Sequence, residues 1–321
     1  MGAPRYAALF PGQGSQAPGM GLAVARRFGE SAAVLEAAER AVPGLMRLLA
    51  EGPEAELVRT SNTQPALLAA SLAVWAAWRL YAPAPACAAG HSLGEYTALA
   101  AAGALPVEQA VWLVRERGRY MEQAMPGGQG GMGAVMGLEE GEVARLCQEV
   151  ADELGGSAAA VVAANFNAPG QVVVSGLVAA LREVEARVRR AGGRYVPLAV
   201  SGPFHSPWME EAARQFAAAL ERTPFLPLAF PVYSNVTACP HEPSSDSIRR
   251  HLRAQLTSPV RWADAVRAMG EAGITHFVEL GPGKVLSGLV RRILPQAVTL
   301  NVSDPDSLEA ALARLRKDGI A

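Results

Sequence analysis

Three observations predict an α/β protein with a mostly parallel sheet covered by helices. Short apolar runs of strand character alternate with longer stretches of helical periodicity through most of the chain. Two glycine-rich segments, Gly90-His91-Ser92-Leu93-Gly94 and Gly281-Pro282-Gly283-Lys284, fall where an apolar run gives way to a helical pattern. The 321 residues, 50% of them hydrophobic, exceed one ordinary domain of about 150 residues and can bury a large core without disulfide or metal staples.

The elements follow in order. Residues 6–10 read as a strand running into the loop Pro11-Gly12-Gln13-Gly14-Ser15-Gln16, with helices expected over 20–40 and 63–81. A small strand over 85–89 leads through Gly90-His91-Ser92-Leu93-Gly94 into a helix reaching about residue 102, and another helix spans 107–125. The breakers Pro126-Gly127-Gly128-Gln129-Gly130-Gly131 mark a boundary. Beyond it come strand 132–137, helix 139–153, strands 159–164 and 171–175, helix 178–191 and strand 194–199. That β-α-β-β-α-β order is the ferredoxin-like pattern, and its position marks an inserted subdomain. Alternation then resumes with helix 207–221, strand 230–234, helices 246–254 and 260–272, strand 275–280, helix 283–293, strand 297–301 and helix 306–317. The division expected is 1–128 and 200–321 for the large subdomain and 129–199 for the small one.

Charge and cysteine content exclude several function classes. A net charge of −1 lacks the basic footprint of a nucleic-acid binder. Cys87, Cys147 and Cys239 are odd in number and widely spaced, which fits neither a disulfide framework nor a zinc site. A reducing cytoplasm is the expected location. The start MGAPRYAALF lacks a signal-peptide pattern, and the Met-Gly beginning lacks the Ser or Thr that myristoylation wants at Tyr6. The most apolar stretch, 66–78, is shorter than the roughly 18 residues of a membrane span and reads as a buried helix.

Gly90-His91-Ser92-Leu93-Gly94 fits G-x-S-x-G between a strand and a helix, a turn that exposes a strained serine hydroxyl. The N–H of Leu93 opens the helix and can face a developing oxyanion. A serine nucleophile needs a base, and five histidines are available. His91 adjoins the serine, His241 and His251 sit in a polar stretch expected to be solvated, and His276 begins an apolar strand. His205 lies in Ser201-Gly202-Pro203-Phe204-His205-Ser206-Pro207 directly after a strand, where α/β enzymes present reactive groups. It is the best-placed base, and a histidine base implies an acid limb of the rate profile near neutrality. No Asp or Glu stands out as its orienter; a backbone or amide carbonyl is the other choice. Glu95 reads as a complement to the helix N-terminus.

Two further motifs fail. Gly12-Gln13-Gly14-Ser15-Gln16-Ala17 fits G-x-G-x-x-G/A, yet Pro18-Gly19 breaks the helix that would hold a pyrophosphate. Gly281-Pro282-Gly283-Lys284-Val285 lacks the phosphate-loop spacing and its hydroxyl, which leaves a tight strand-to-helix turn. Arg117 lies about 200° round its helix from Arg115, on the inward side with Leu113, Val114 and Tyr120. On the helix alone, a structural ion pair is the simpler reading.

Phe10-Pro11-Gly12-Gln13-Gly14-Ser15-Gln16, Thr63-Gln64-Pro65-Ala66-Leu67, Gly90-His91-Ser92-Leu93-Gly94-Glu95-Tyr96, Asn165-Phe166-Asn167-Ala168-Pro169-Gly170-Gln171, Gly202-Pro203-Phe204-His205-Ser206 and Glu279-Leu280-Gly281-Pro282-Gly283-Lys284 occur in that order. Together they span the chain, and it closely resembles the malonyl-CoA:acyl-carrier-protein transacylases of bacterial fatty-acid synthesis. The resemblance implies an α/β-hydrolase-like parallel-sheet core with the ferredoxin-like insert. It implies that Ser92 is the nucleophile, His205 the base, and that the carbonyl of Gln255 orients the histidine. Backbone N–H groups of Gln13 and Leu93 would form the oxyanion hole, and Arg117 would bind the malonyl carboxylate, which replaces the structural ion pair. Coenzyme A thioester and acyl carrier protein are the implied partners, with no metal or other cofactor, no nucleic acid and no membrane. Arg187, Arg189, Arg190 and Arg194 are candidates for meeting an acidic carrier protein, or simply a solvated helix face. Other readings are an acyltransferase serving polyketide synthesis, a serine esterase or thioesterase, and a non-catalytic docking module. Residues 238–247 match no part of the pattern and are expected to form a surface loop.

Overall fold

The computed structural model describes residues 5–125, 127–154 and 160–320. Its eight named strands are β1 Tyr6–Phe10, β2 Cys87–Gly90, β3 Gly130–Met136, β4 Val161–Ala168, β5 Gln171–Leu177, β6 Arg194–Pro197, β7 His276–Leu280 and β8 Val298–Val302. They form two sheets. One is parallel, in the order β2-β1-β7-β8; the other is antiparallel, in the order β4-β5-β3-β6.

The parallel sheet follows from its strand sequences. β1 is the uninterrupted apolar run YAALF and is buried along its whole length, as a strand covered on both faces must be. Helix Thr60–Trp78 is buried from Thr63 to its end, so its apolar residues show no single outward face. Trp75 and Trp78 meet Phe10 and Tyr6 edge-on at 6.3 and 6.1 Å, locking this helix to β1. The antiparallel sheet has its own apolar cluster, in which Val135, Val172 and Val174 pack against Val143, Leu146, Val184 and Val188 of helices Glu140–Glu153 and Val178–Arg190.

Two backbone hydrogen bonds tie the second sheet to the first body. Phe166 N–H donates to Val260 C=O, and Val260 N–H to Ala164 C=O, both at 2.9 Å. Val260 lies two residues before the start of helix Trp262–Glu271, which covers one face of the parallel sheet. β4 carries two register irregularities, between Ala163 and Asn165 and between Phe166 and Ala168. Such bulges re-aim side chains, here Asn165 and Asn167, toward the space between the sheets.

Several expectations need correction. The helix expected over 20–40 is two helices, Leu22–Arg27 and Gly29–Ala41, because Phe28 between them is extended at φ −126° and ψ 123°. Helices Leu45–Glu51 and Glu54–Leu57 were not foreseen. Residues 230–234 do not form a strand: only Val232 and Tyr233 make isolated bridges, to Ala88 and Pro240, before the chain turns back. Arg187 is not free to meet a partner, since its side chain is 15% exposed and pairs with Glu149 and Glu153. Residues 1–4 with the Met-Gly start, Pro126 of the breaker cluster and residue 159 of the expected strand 159–164 lie outside the described residues. Among the described residues no helix is long and apolar enough to cross a membrane.

Candidate active site

β2 ends at Gly90, and helix Leu93–Ala101 begins two residues after His91, so the chain reverses within a very tight turn. Ser92 occupies φ 50° and ψ −105°, a conformation that side-chain-bearing residues rarely adopt and that stores strain. Two glycines allow it. A Cβ on Gly90 would lie 1.9 Å from the backbone of Gly94, and one on Gly94 would lie 2.1 Å from the Phe10 carbonyl oxygen. The turn is held from outside by Asn235, whose Oδ1 accepts from Ser92 N–H at 2.7 Å and whose Nδ2 donates to Gly90 C=O at 2.8 Å.

His205, buried and also at positive φ (57°), faces the serine from the loop after β6. Its Nε2 lies 2.8 Å from Ser92 Oγ, and its Nδ1 lies 2.8 Å from the carbonyl oxygen of Gln255. A carbonyl only accepts, so the Nδ1 proton faces Gln255 and the Nε2 lone pair faces the hydroxyl. Burial and the neighbouring Arg117 charge push the His205 pKa down to about 3, which keeps the ring neutral.

Arg117 points inward from helix Val107–Gln123 and is 1% exposed. Its Nη1 donates to Gln64 Oε1 at 2.9 Å; its Nη2 donates to Gln255 Oε1 at 2.9 Å and to Ser92 Oγ at 3.1 Å. The guanidinium lies over the Tyr96 ring at 5.2 Å from its centroid. Among the described residues no carboxylate reaches salt-bridge distance of it, and its Nε has no hydrogen-bond partner. A buried cation without its own anion is costly, and it attracts an anionic ligand.

Glu95 does not simply complement the helix. It is fully buried: Oε2 accepts from Gln255 Nε2 at 2.6 Å and from Asn235 N–H at 3.0 Å, and His241 Nε2 stands 2.7 Å from Oε1. His241 is therefore buried, not solvated, and half-buried His251 stands against it with the two Nδ1 atoms 3.3 Å apart. Residues 238–247 thus reach the interior at His241. His91 turns the other way, its Nε2 2.8 Å from Asn167 Oδ1 on β4.

Ser92, His205, Arg117 and His91 line a cleft of about 460 Å³ between the two sheets, and Glu95, Gln255 and His241 stand behind its wall. Gln13, Ser92, Leu93, Arg117 and His205 come from the parallel-sheet body, and Met132, Ala134, Asn165, Asn167 and Val173 from the antiparallel sheet. Gln13 and Leu93 offer backbone N–H groups without an acceptor among the described residues. The structure brings Ser92, His205, Gln255, Arg117, Gln13 and Leu93 into one place. Asn235 and His241 in loops and Asn167 on β4 were missed as site residues, because single polar residues carry no spacing signal.

The acyl transferase domain family matches residues 8–319. The chain belongs to the acyl transferase domain family. It is similar to the malonyl CoA-acyl carrier protein transacylase of Bacillus subtilis, at 40% identity over 98% of both chains. Among solved structures it is similar to an acyl carrier protein S-malonyltransferase from Vibrio cholerae, at 40% identity and TM-score 0.91 over 96% of this chain and 99% of that one. A malonyl-transacylase solved in complex with its type II PKS acyl-carrier protein superposes at 41% identity and TM-score 0.92, over 97% and 99% of the two chains. In all three the likeness extends over nearly the whole length, and the two solved structures share the overall fold.

Proposed function

We propose that this acyl transferase moves a malonyl group from coenzyme A to the phosphopantetheine thiol of an acyl carrier protein through an ester on Ser92. The observation that carries this reading is a buried Arg117 without an anion of its own, 3.1 Å from the hydroxyl that also meets His205. An acyl group that ends in a carboxylate supplies the missing anion. The names of the relatives support the same reading.

In this scheme His205 Nε2 takes the hydroxyl proton as Ser92 Oγ attacks the thioester carbonyl. The Gln255 carbonyl holds the Nδ1 proton and the ring's orientation. The N–H groups of Gln13 and Leu93 receive the developing oxyanion, helped by the helix terminus behind Leu93. Collapse of the tetrahedral intermediate expels the coenzyme A thiolate, which takes the proton back from His205. The carrier thiol then repeats the sequence in reverse. No resident metal or cofactor is proposed, and we place the protein in the cytoplasm.

Within this reading the parallel-sheet body, 1–128 and 200–321, is α/β-hydrolase-like and the insert 129–199 is ferredoxin-like. The β4-β5-β3-β6 order with two covering helices supports the second description. A polyketide carrier as acceptor is favoured by the relative solved with its type II PKS carrier protein; comparing transfer to the two carrier types decides between them.

The test is selectivity. Malonyl and acetyl thioesters share the reacting carbonyl and differ in the terminal carboxylate, which a guanidinium binds with charge-assisted hydrogen bonds. Arg117→Ala should lower malonyl kcat/KM by about 30-fold to several thousand-fold, the equivalent of about 2–5 kcal/mol, and leave acetyl kcat/KM unchanged or higher. Equal losses for both substrates would make Arg117 structural.

A further inference from the structure

Arg117 touches no carboxylate directly, but one stands a single amide away. Its Nη2 donates to Gln255 Oε1, and Gln255 Nε2 donates in turn to Glu95 Oε2. Gln255 has two jobs carried by different atoms: its main-chain carbonyl faces His205, while its side-chain amide bridges Arg117 and Glu95. The main chain is held independently, Gln255 N–H donating to His251 C=O at 2.8 Å as the end of helix Ser245–Ala254. Only the amide needs Glu95.

We propose that Glu95 is a positioning residue for acyl-group selectivity, acting on Arg117 through the side-chain amide of Gln255; this rests on the malonyl reading above. An amide has one accepting and one donating end. Arg117 requires the accepting end, and that orientation is stable only while an acceptor holds the donating end. Glu95 Oε2 is the shortest of three acceptors there, at 2.6 Å against 3.1 Å for Ser92 C=O and 3.4 Å for Asn235 Oδ1. Glu95 is itself fixed by Asn235 N–H and by His241 on its other oxygen. Without it the amide can rotate and present N–H groups to the guanidinium, which turns Arg117 away from Ser92.

The experiment measures malonyl and acetyl kcat/KM for transfer to holo carrier protein. Glu95→Ala should lose about 10- to 100-fold for malonyl and under about threefold for acetyl. Glu95→Gln should regain most of the malonyl rate, because its oxygen can take the place of Oε2 while its amide group turns to His241. Should Glu95→Ala fail to fold, Glu95→Asp draws the carboxylate back from Gln255 Nε2 by about one C–C bond; a malonyl-specific loss smaller than that of the alanine variant is expected. A Glu95→Ala or Glu95→Asp variant that loses both acyl groups equally, or keeps the wild-type malonyl preference, overturns the positioning role. A Glu95→Gln variant as impaired as Glu95→Ala also overturns it. Wild type that shows no preference for malonyl overturns the underlying reading instead.

Discussion

His205 is a histidine made to stay neutral. Its ordinary pKa of 6.5 falls to about 3 because burial disfavours the imidazolium and Arg117 adds a like charge beside it. A base is useful only when deprotonated, so malonyl-CoA kcat/KM should hold its value as pH falls through the ordinary histidine range. The limb near neutrality expected from the sequence moves to acid pH, since composition says nothing of desolvation. Arg117→Ala should move that limb back up, because the larger of the neighbouring charges that lower it is gone. Folding responds with the matching sign: the unfolded chain takes up the proton first, so stability is lost as pH falls from about 6.5 toward 3. A rate profile with its acid limb still centred at about 6.5 would contradict this account of the base.

The turn between β2 and its helix works as an element because backbone approaches backbone with no side chain between. Gly94→Ala places a methyl against the Phe10 carbonyl on β1, and neither backbone can yield without moving the strained Ser92. A loss of about 1–3 kcal/mol, together with a fall in Ser92 acylation, is expected and can be read by urea unfolding and by acyl-enzyme formation. This element was legible in the sequence, since G-x-S-x-G announces both the turn and its glycines. So were most helices and strands, where periodicity was long and breakers were clear. The missing strand over 230–234 shows the limit: Phe230-Pro231-Val232-Tyr233 has strand-like residues, but two bridges exhaust its pairing before Ser234–Ala238 reverses the chain. Glu95 was misread for a related reason. Its partners Asn235, His241 and Gln255 lie 140 to 160 residues away and meet it only in the folded chain.

At the scale of the molecule, the reaction is a product of two sheets facing each other. The parallel-sheet body supplies the serine from the turn after β2, the arginine from helix Val107–Gln123 and the histidine from the loop after β6; the antiparallel sheet closes the other wall with Asn165, Asn167 and Val173. The pair Ala164–Val260 and Phe166–Val260 stitches the walls together, and His91–Asn167 joins them at the turn itself. A cleft built this way sets the serine between two walls rather than on an open face. The central claim is therefore a covalent relay on one atom. Intact-protein mass spectrometry after mixing with malonyl-CoA tests it most directly, with wild type and Ser92→Ala side by side and holo carrier protein added afterwards. The account predicts a single malonyl adduct on wild type, none on a folded Ser92→Ala, and passage of that adduct to the carrier protein. An undiminished adduct on Ser92→Ala, or a wild-type adduct that water removes faster than the carrier thiol does, would contradict it.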